Sequence, residues 1–479
     1  MKQILPIRSW YGGISESSKI GIGGSFRFAQ SLDIFSEPTQ ITLLPKTTKV
    51  SGATVADLVK WIVSGAPHDT NKYFYGSAGK IYKETSGGSW SLLQTTSNSG
   101  GQGMDLHDDY IYYTQDTQIG RYGPLSDTPA FDDDWQTDLN NTSATDIAPI
   151  KAFKEGLAVG HGNHLGWWDG TVWNEDQLIL PPGFKIRSLD VIDEYLVIGT
   201  WKGTSIGDNE EGYIFFWDGV SVTFNFFVKS DVGGFQALAN SQNRLFSIIG
   251  NGNLNINYNP FQKIQQLPNL GRGKSVSIYP GAITNWQNMI HIGVGSTDSD
   301  TLYQGVYQWG SMSSKYPEVL NFAYPISTGH VNDADISIGS VKGIGNSLYI
   351  GWKDTTTYGV DKVTKSGDYY ATGNVESLLF DNRQPSRDKT FITMKAVHKP
   401  LAEGESIQLG YRASEADSYT LGTANATDDT IETRLEIPAN VARQTDFEGQ
   451  CILGSDGSST PTVIFFGWQF DDNKEEEAF

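Results

Sequence analysis

An all-β fold is predicted by three features of the 479-residue sequence. Apolar residues make up 38% and charged residues 19%, too little of either for a helical bundle. Gly 53, Tyr 22, Phe 23 and Trp 13 favour short aromatic strands and tight turns. Short aromatic and β-branched runs, usually closed by glycine, recur through the middle of the chain. The same aromatic richness excludes a disordered chain, because these side chains carry the largest core-forming area.

Taken in order, residues 1–50 read as an extended N-terminal arm. Gly12-Gly13, Gly21 and Gly23-Gly24 interrupt any continuous apolar pattern there. Within it, Thr39-Gln-Ile-Thr-Leu-Leu44 is expected to add an outer strand to the sheet near Leu348 and so close the repeat region.

Residues 51–373 hold the repeat. Its markers are Tyr73-Phe-Tyr-Gly76, Tyr110-Ile-Tyr-Tyr113, Leu157-Ala-Val-Gly160, Tyr195-Leu-Val-Ile-Gly199, Leu245-Phe-Ser-Ile-Ile-Gly250, Met289-Ile-His-Ile-Gly293 and Leu348-Tyr-Ile-Gly351. Their intervals are 37, 47, 38, 50, 44 and 59 residues, the spacing of propeller blades. Each marker follows an alternating segment such as Ile186–Val191 and precedes a third strand such as Tyr213–Gly219, closed by Asp-Gly. An irregular fourth strand, such as Val222–Val228, completes the unit. Seven such units predict a seven-bladed β-propeller, in which the markers are apolar on both faces because they pack between neighbouring blades.

Residues 374–479 lose that rhythm. Phe391–Val397, Ser406–Tyr411, Ile431–Ile437 and Thr462–Trp468 alternate as longer strands between polar turns, which predicts a β-sandwich ending in a short acidic tail.

Charge and cysteine content narrow the function classes. With 35 basic and 55 acidic residues the net charge is −20, unsuited to neutralising nucleic-acid phosphates or anionic membranes. Apolar stretches fall far short of the ~20 residues a spanning helix needs. The segment MKQILPIRSW is broken by Pro6 and Arg8, which argues against a secretion signal. Cys451 stands alone beside Ile452 and Leu453, which excludes an intrachain disulfide and predicts a buried, inert thiol.

The opening WYGGI…GIGGSFRFAQSLDIFSEP, the following LLPKTT, and the closing KTFITMKAVHKPLAEGESIQLGYR…YTLGT…TPTVIFFGWQF resemble virion structural proteins of tailed bacteriophages. Trp10–Pro38 and Lys389–Phe470 are the most distinctive parts of the resemblance. It implies a non-enzymatic protein of the tail, neck or host-contacting apparatus. Such a protein is made in the bacterial cytoplasm, incorporated into the virion in several copies, and docked on other virion proteins through its arm.

Chemical motifs are sparse, and no cofactor is expected. His161-Gly-Asn-His164 has metal-like spacing, with Asp169 nearby, but reads as a hairpin turn. Asp132-Asp-Asp134 lacks the pattern of a calcium hand and reads as an acidic loop. His107-Asp108-Asp109 reads as a turn, since no nucleophile accompanies it. A sialidase-like glycosidase would need an arginine cluster, whereas Arg121, Arg187, Arg244 and Arg272 are scattered. For a carbohydrate-binding host adhesin the candidate stacking aromatics are Trp201 and Trp352 in the repeat and Tyr411, Tyr419 and Trp468 in the C-terminal region.

Overall fold

The computed structural model describes residues 2–471 except 8, 16–23, 38, 53, 85–87, 99, 138, 140–146, 204–210, 231, 257–261, 267–275, 297–302, 312, 332–334, 381–388, 415–416 and 445. Gly21, Gly23, Arg272 and tail residues 472–479 lie outside the described residues. The described secondary structure is β-strand with a single 3-10 turn at Pro280–Ala282. The chain divides into two compact units, one of residues 48–306 and 326–363, the other of 1–47, 307–325 and 364–479.

In the larger unit, five consecutive four-stranded antiparallel sheets begin at Val59, Gly100, Ile150, Phe184 and Phe235. The pair Ile283–Trp286 and Met289–Ser296 follows, and then the strands Ile336–Ile344, Ser347–Asp354 and Thr357–Thr364. The seven first strands touch in sequence, and the last touches the first, Ile336–Ile344 lying against Val59–Ser64. This closed cycle of first strands is a propeller-like arrangement.

Every marker run lies on the second strand of its sheet. Leu157, Ala158, Val159, Leu196, Val197 and Ile198 are wholly buried, as expected of a strand covered on both faces. Tight turns connect first and second strands. At Gln242-Asn243 and Gln287-Asn288 both turn residues have positive φ, the backbone twist that suits a two-residue hairpin. Gly170 and Gly219 of the Asp-Gly turns have φ of 93° and 83°, and each aspartate accepts two backbone N–H groups across its turn.

Between neighbouring sheets, side chains supply the bonds that no backbone ladder can. Ser188 Oγ accepts from Leu238 N, Ser340 Oγ donates to the Val59 carbonyl, Asn285 Nδ2 donates to Ser241 Oγ and Trp286 Nε1 donates to the Gly345 carbonyl.

The predicted closing strand needs correction. Thr48–Lys49, not residues 39–44, pairs with Thr357–Thr364 as the fourth strand of the last sheet. Ile41 instead bridges Val463, and Thr42–Leu43 pairs with Leu32–Asp33. The physical reason is burial: Ile41, Leu43 and Leu44 belong to the apolar core of the smaller unit, whereas Thr48 and Lys49 are exposed and suit an outer edge.

Residues 1–50 also differ from an extended arm. Lys2–Ile7 pairs with Val463–Asp471 along six registered positions, and Phe28–Gln30 lies between Val319–Tyr324 and Thr372–Glu376. Trp10, Phe26, Ala29 and Leu32 are fully buried. The smaller unit therefore draws on three chain segments, rather than on residues 374–479 alone. Besides two short strand pairs, its described residues form two larger sheets: one orders Lys2–Ile7, Val463–Asp471, Lys389–His398 and Glu432–Glu436, with Arg443–Gln444 beside Lys389–His398. The other runs through Val319–Tyr324, Phe28–Gln30, Thr372–Glu376, Glu448–Gly454, Ser406–Arg412 and Thr420–Leu421. Cys451 sits in the second sheet, where burial pushes its thiol pKa up to about 12.

Candidate functional site

All seven first strands of the larger unit line one central cavity of about 290 Å³. Because side chains alternate along a strand, each first strand turns one set of residues toward the neighbouring sheets and another toward this space. The charged groups there are Asp105, Lys151, Asp190 and Lys342.

Lys151 Nζ lies 2.8 Å from Asp190 Oδ1, and this ion pair raises the lysine pKa. Asp190 Oδ2 also accepts from Asn240 N, and Asp105 Oδ2 accepts from Ala152 N at 2.9 Å. Lys342 comes from the last sheet. Enclosure by protein, reinforced by the Lys151 ammonium, holds its pKa below the ordinary lysine value.

A second set of polar groups comes from irregular register. The pairing of first and second strands shifts between Val59 and Trp61, between Ile186 and Ser188, and between Phe235 and Ala237. The extra residues are Lys60, Arg187 and Gln236, re-aimed as bulge residues are. The Arg187 guanidinium donates to the carbonyls of Gln236 and Ile278, and burial lowers its pKa to about 10. Lys60 lies over the Tyr279 ring, its pKa lowered by burial and then by Arg187. The charged lining of the cavity is thus balanced, two carboxylates against two ammonium groups. Neither it nor the set around Arg187 was anticipated from sequence, although Lys and Asp at matching points of successive first strands are a visible signal.

The sequence-selected aromatics do not gather into a site. Trp352 is fully buried, Trp468 is 1% exposed and Tyr411 is 6% exposed, so none of these three presents a face for stacking on a sugar. Trp352 fills the interior beneath Lys49, and Trp468 packs against Phe391 and Phe447. Trp201 is half-buried under Lys185, and Tyr419 is half-buried with the Arg412 guanidinium 4.4 Å from its ring centroid.

The other motifs also find places. Asp132–Asp134 lies on the strand Ala130–Gln136 rather than in a loop, with Asp132 paired to Arg121 at 3.0 Å and Asp133 accepting from Tyr113. Asp108 and Asp109 form a hairpin turn, with Asp109 bonded to Ser126 and His68. Arg121 and Arg187 are engaged separately, and Arg244 lies over Phe246.

In the smaller unit, a groove of about 770 Å³ runs over the outer face of the sheet containing Lys389–His398 and Val463–Asp471. It is lined by Val397, Ile464, Phe465 and Trp468, with Lys395 and Arg434 at its polar side, both held by Glu432.

No protein-family model matches the chain, and no curated protein matches it. Among solved structures it is similar to BamB from Moraxella catarrhalis, at 11% identity over 69% of this chain and 99% of that one, with TM-score 0.38. It is also similar to YCF48 from Cyanidioschyzon merolae, at 12% identity over 67% and 99% with TM-score 0.41, and to the computationally designed Ika8 protein, at 13% over 69% and 87% with TM-score 0.36. The fold is all-β and propeller-like. At these values the likenesses carry nothing about function.

Proposed function

We propose that this chain is a non-enzymatic structural component of a tailed-phage particle, belonging to its tail, neck or host-contacting apparatus and present in several copies. Its architecture is read as a seven-bladed propeller with blades beginning at Val59, Gly100, Ile150, Phe184, Phe235, Ile283 and Ile336, joined to a β-sandwich built from both chain ends. The observation that carries the reading is that Trp10–Pro38 and Lys389–Phe470, the stretches resembling virion proteins, belong to one compact unit although far apart in sequence. Arg27 and Glu448 join them, one guanidinium nitrogen, Nη1, donating to both carboxylate oxygens at 3.0 Å.

Because the described strands of residues 2–47 pair within their own chain, docking on other virion proteins falls to exposed surfaces rather than to a free arm. One such surface is the outer strand Phe226–Ser230, where Phe227 is 52% exposed, with Val220 and Val222 just before it at 79% and 85%.

A carbohydrate-binding host adhesin is the second reading, favoured by the groove over Phe465, whose apolar floor and charged side suit a sugar better than the buried tryptophans do. The primary test is mass spectrometry and antibody labelling of purified particles produced from the encoding genome. The chain is expected as a stoichiometric particle component, and its absence would overturn the proposal. Binding of the purified protein to host cells that is lost in Phe465→Ser, without released sugar, would select the adhesin reading. Released sugar would overturn the non-enzymatic one.

A further inference from the structure

The sequence pairs His161 with His164, but the structure adds two acids that spacing does not reveal. Strand Gly156–His161 turns through Gly162 and Asn163 into His164–Trp168, so the two histidines are registered partners. The next strand, Trp173–Ile179, is out of regular register: Leu165 pairs with Leu178 and Trp167 with Asn174, leaving Glu175, Asp176 and Gln177 opposite Gly166 alone. This bulge carries Glu175 and Asp176 toward the histidine hairpin. A ring nitrogen of His161, a carboxylate oxygen of Glu175 and one of Asp176 lie within 4.8 Å of one another. Asp169, the acid expected nearby, is instead occupied in its own turn.

His161 is fully buried, and its Nε2 lies 3.1 Å from the backbone carbonyl oxygen of Glu175. A carbonyl only accepts, so Nε2 carries the proton and the lone pair resides on Nδ1. Nδ1 has no hydrogen-bond partner. An imidazole fixed by an N–H bond to a backbone carbonyl, with its other nitrogen buried and unsatisfied, has the form of a metal ligand with its supporting partner. Asp176 is itself held by His164, whose Nδ1 is 2.5 Å from Oδ1.

We propose that His161, Glu175 and Asp176 bind one divalent transition-metal ion of the zinc type, with His164 orienting Asp176. A mixed imidazole and carboxylate set favours such an ion over calcium or magnesium, which take oxygen ligands. Tetrahedral bonds of about 2.0–2.1 Å place ligand atoms roughly 3.3 Å apart, so the ligand atoms draw together by at most about 1.5 Å on binding. Asp176 is exposed and Glu175 half-buried, so both can move without disturbing the core. The ion would tie the histidine hairpin to the outer strand of the same sheet and stabilise the folded state that binds it.

The test is titration of the full chain with Zn²⁺ and Co²⁺ by calorimetry and thermal unfolding. One saturable equivalent is expected, with a rise in Tm that a chelator reverses and a visible ligand-field absorption for Co²⁺. The double variant Glu175→Gln/Asp176→Asn, altered away from the core, is expected to keep the metal-free Tm and to bind at least tenfold more weakly. Absence of saturable binding by the full chain, or equally tight binding by the double variant, overturns the proposal.

Discussion

Replacing Trp10 by alanine distinguishes a chain end that builds the core from one that merely lies along it. The Trp10 indole is fully buried and stacks on Phe466 with ring centroids 5.9 Å apart and planes inclined by 6°. Its Nε1 has no hydrogen-bond partner, so the loss on truncation is one of packing alone. Removing a buried tryptophan side chain costs about 3–5 kcal/mol in lost transfer energy and residual cavity. For a unit of this size each kcal/mol corresponds to about 2–4 °C, giving a predicted fall in Tm of roughly 6–20 °C. Trp10→Phe retains an aromatic face against Phe466 and removes an unsatisfied buried donor, so it is expected to cost far less. Differential scanning calorimetry gives the shift, and limited proteolysis within residues 1–47 shows whether the loss is local. A shift below about 2 °C for Trp10→Ala, or equal shifts for the two variants, would refute the reasoning.

Further predictions concern charge, closure and the thiol. Glu448 is fully buried and accepts from Arg27 at 3.0 Å and Arg412 at 2.6 Å, so Arg27→Met leaves it half-compensated and should cost about 3 kcal/mol by urea denaturation. Asp361 is fully buried beside Ser327, and burial raises its pKa from 3.8 to about 6. For an acid so raised, the folded state holds the proton more tightly. Its contribution therefore weakens as pH climbs from about 4 to about 6 and is flat above, by up to about 3 kcal/mol. Asp361→Asn should remove that slope, and identical urea midpoints against pH for both proteins would count against it. Val50→Pro deletes the bond from Val50 N to the Val360 carbonyl at 2.9 Å beside the closing strand, and should lower stability by about 1–3 kcal/mol in the same assay. Cys451 should resist a thiol reagent in the native protein and react fully in denaturant.

The repeat was legible from sequence because its cause is local. A second strand covered on both faces must be apolar throughout, so Leu157-Ala-Val and Tyr195-Leu-Val-Ile declare themselves wherever they occur. Asp-Gly and the two-residue hairpins are local for the same reason, since they follow from the φ their residues tolerate. Pairing between distant segments carries no comparable mark. Thr48–Lys49 is too short and polar to announce itself as a closing strand, while Thr39–Leu44 looked the better candidate because its apolar residues were in fact committed to another core.

The same limit applies to the sites. Trp352 and Trp468 are aromatic in the sequence but buried in the fold, and burial decides whether a ring can meet a ligand. Asp105, Lys151, Asp190 and Lys342 lie far apart along the chain and meet because seven first strands close in a cycle. Composition and periodicity alone settled that this protein is made of strands and where its repeats begin. Only the tertiary structure decided which strands pair across hundreds of residues and which side chains share a cavity, because those choices depend on the closure of whole sheets rather than on the preferences of neighbouring residues.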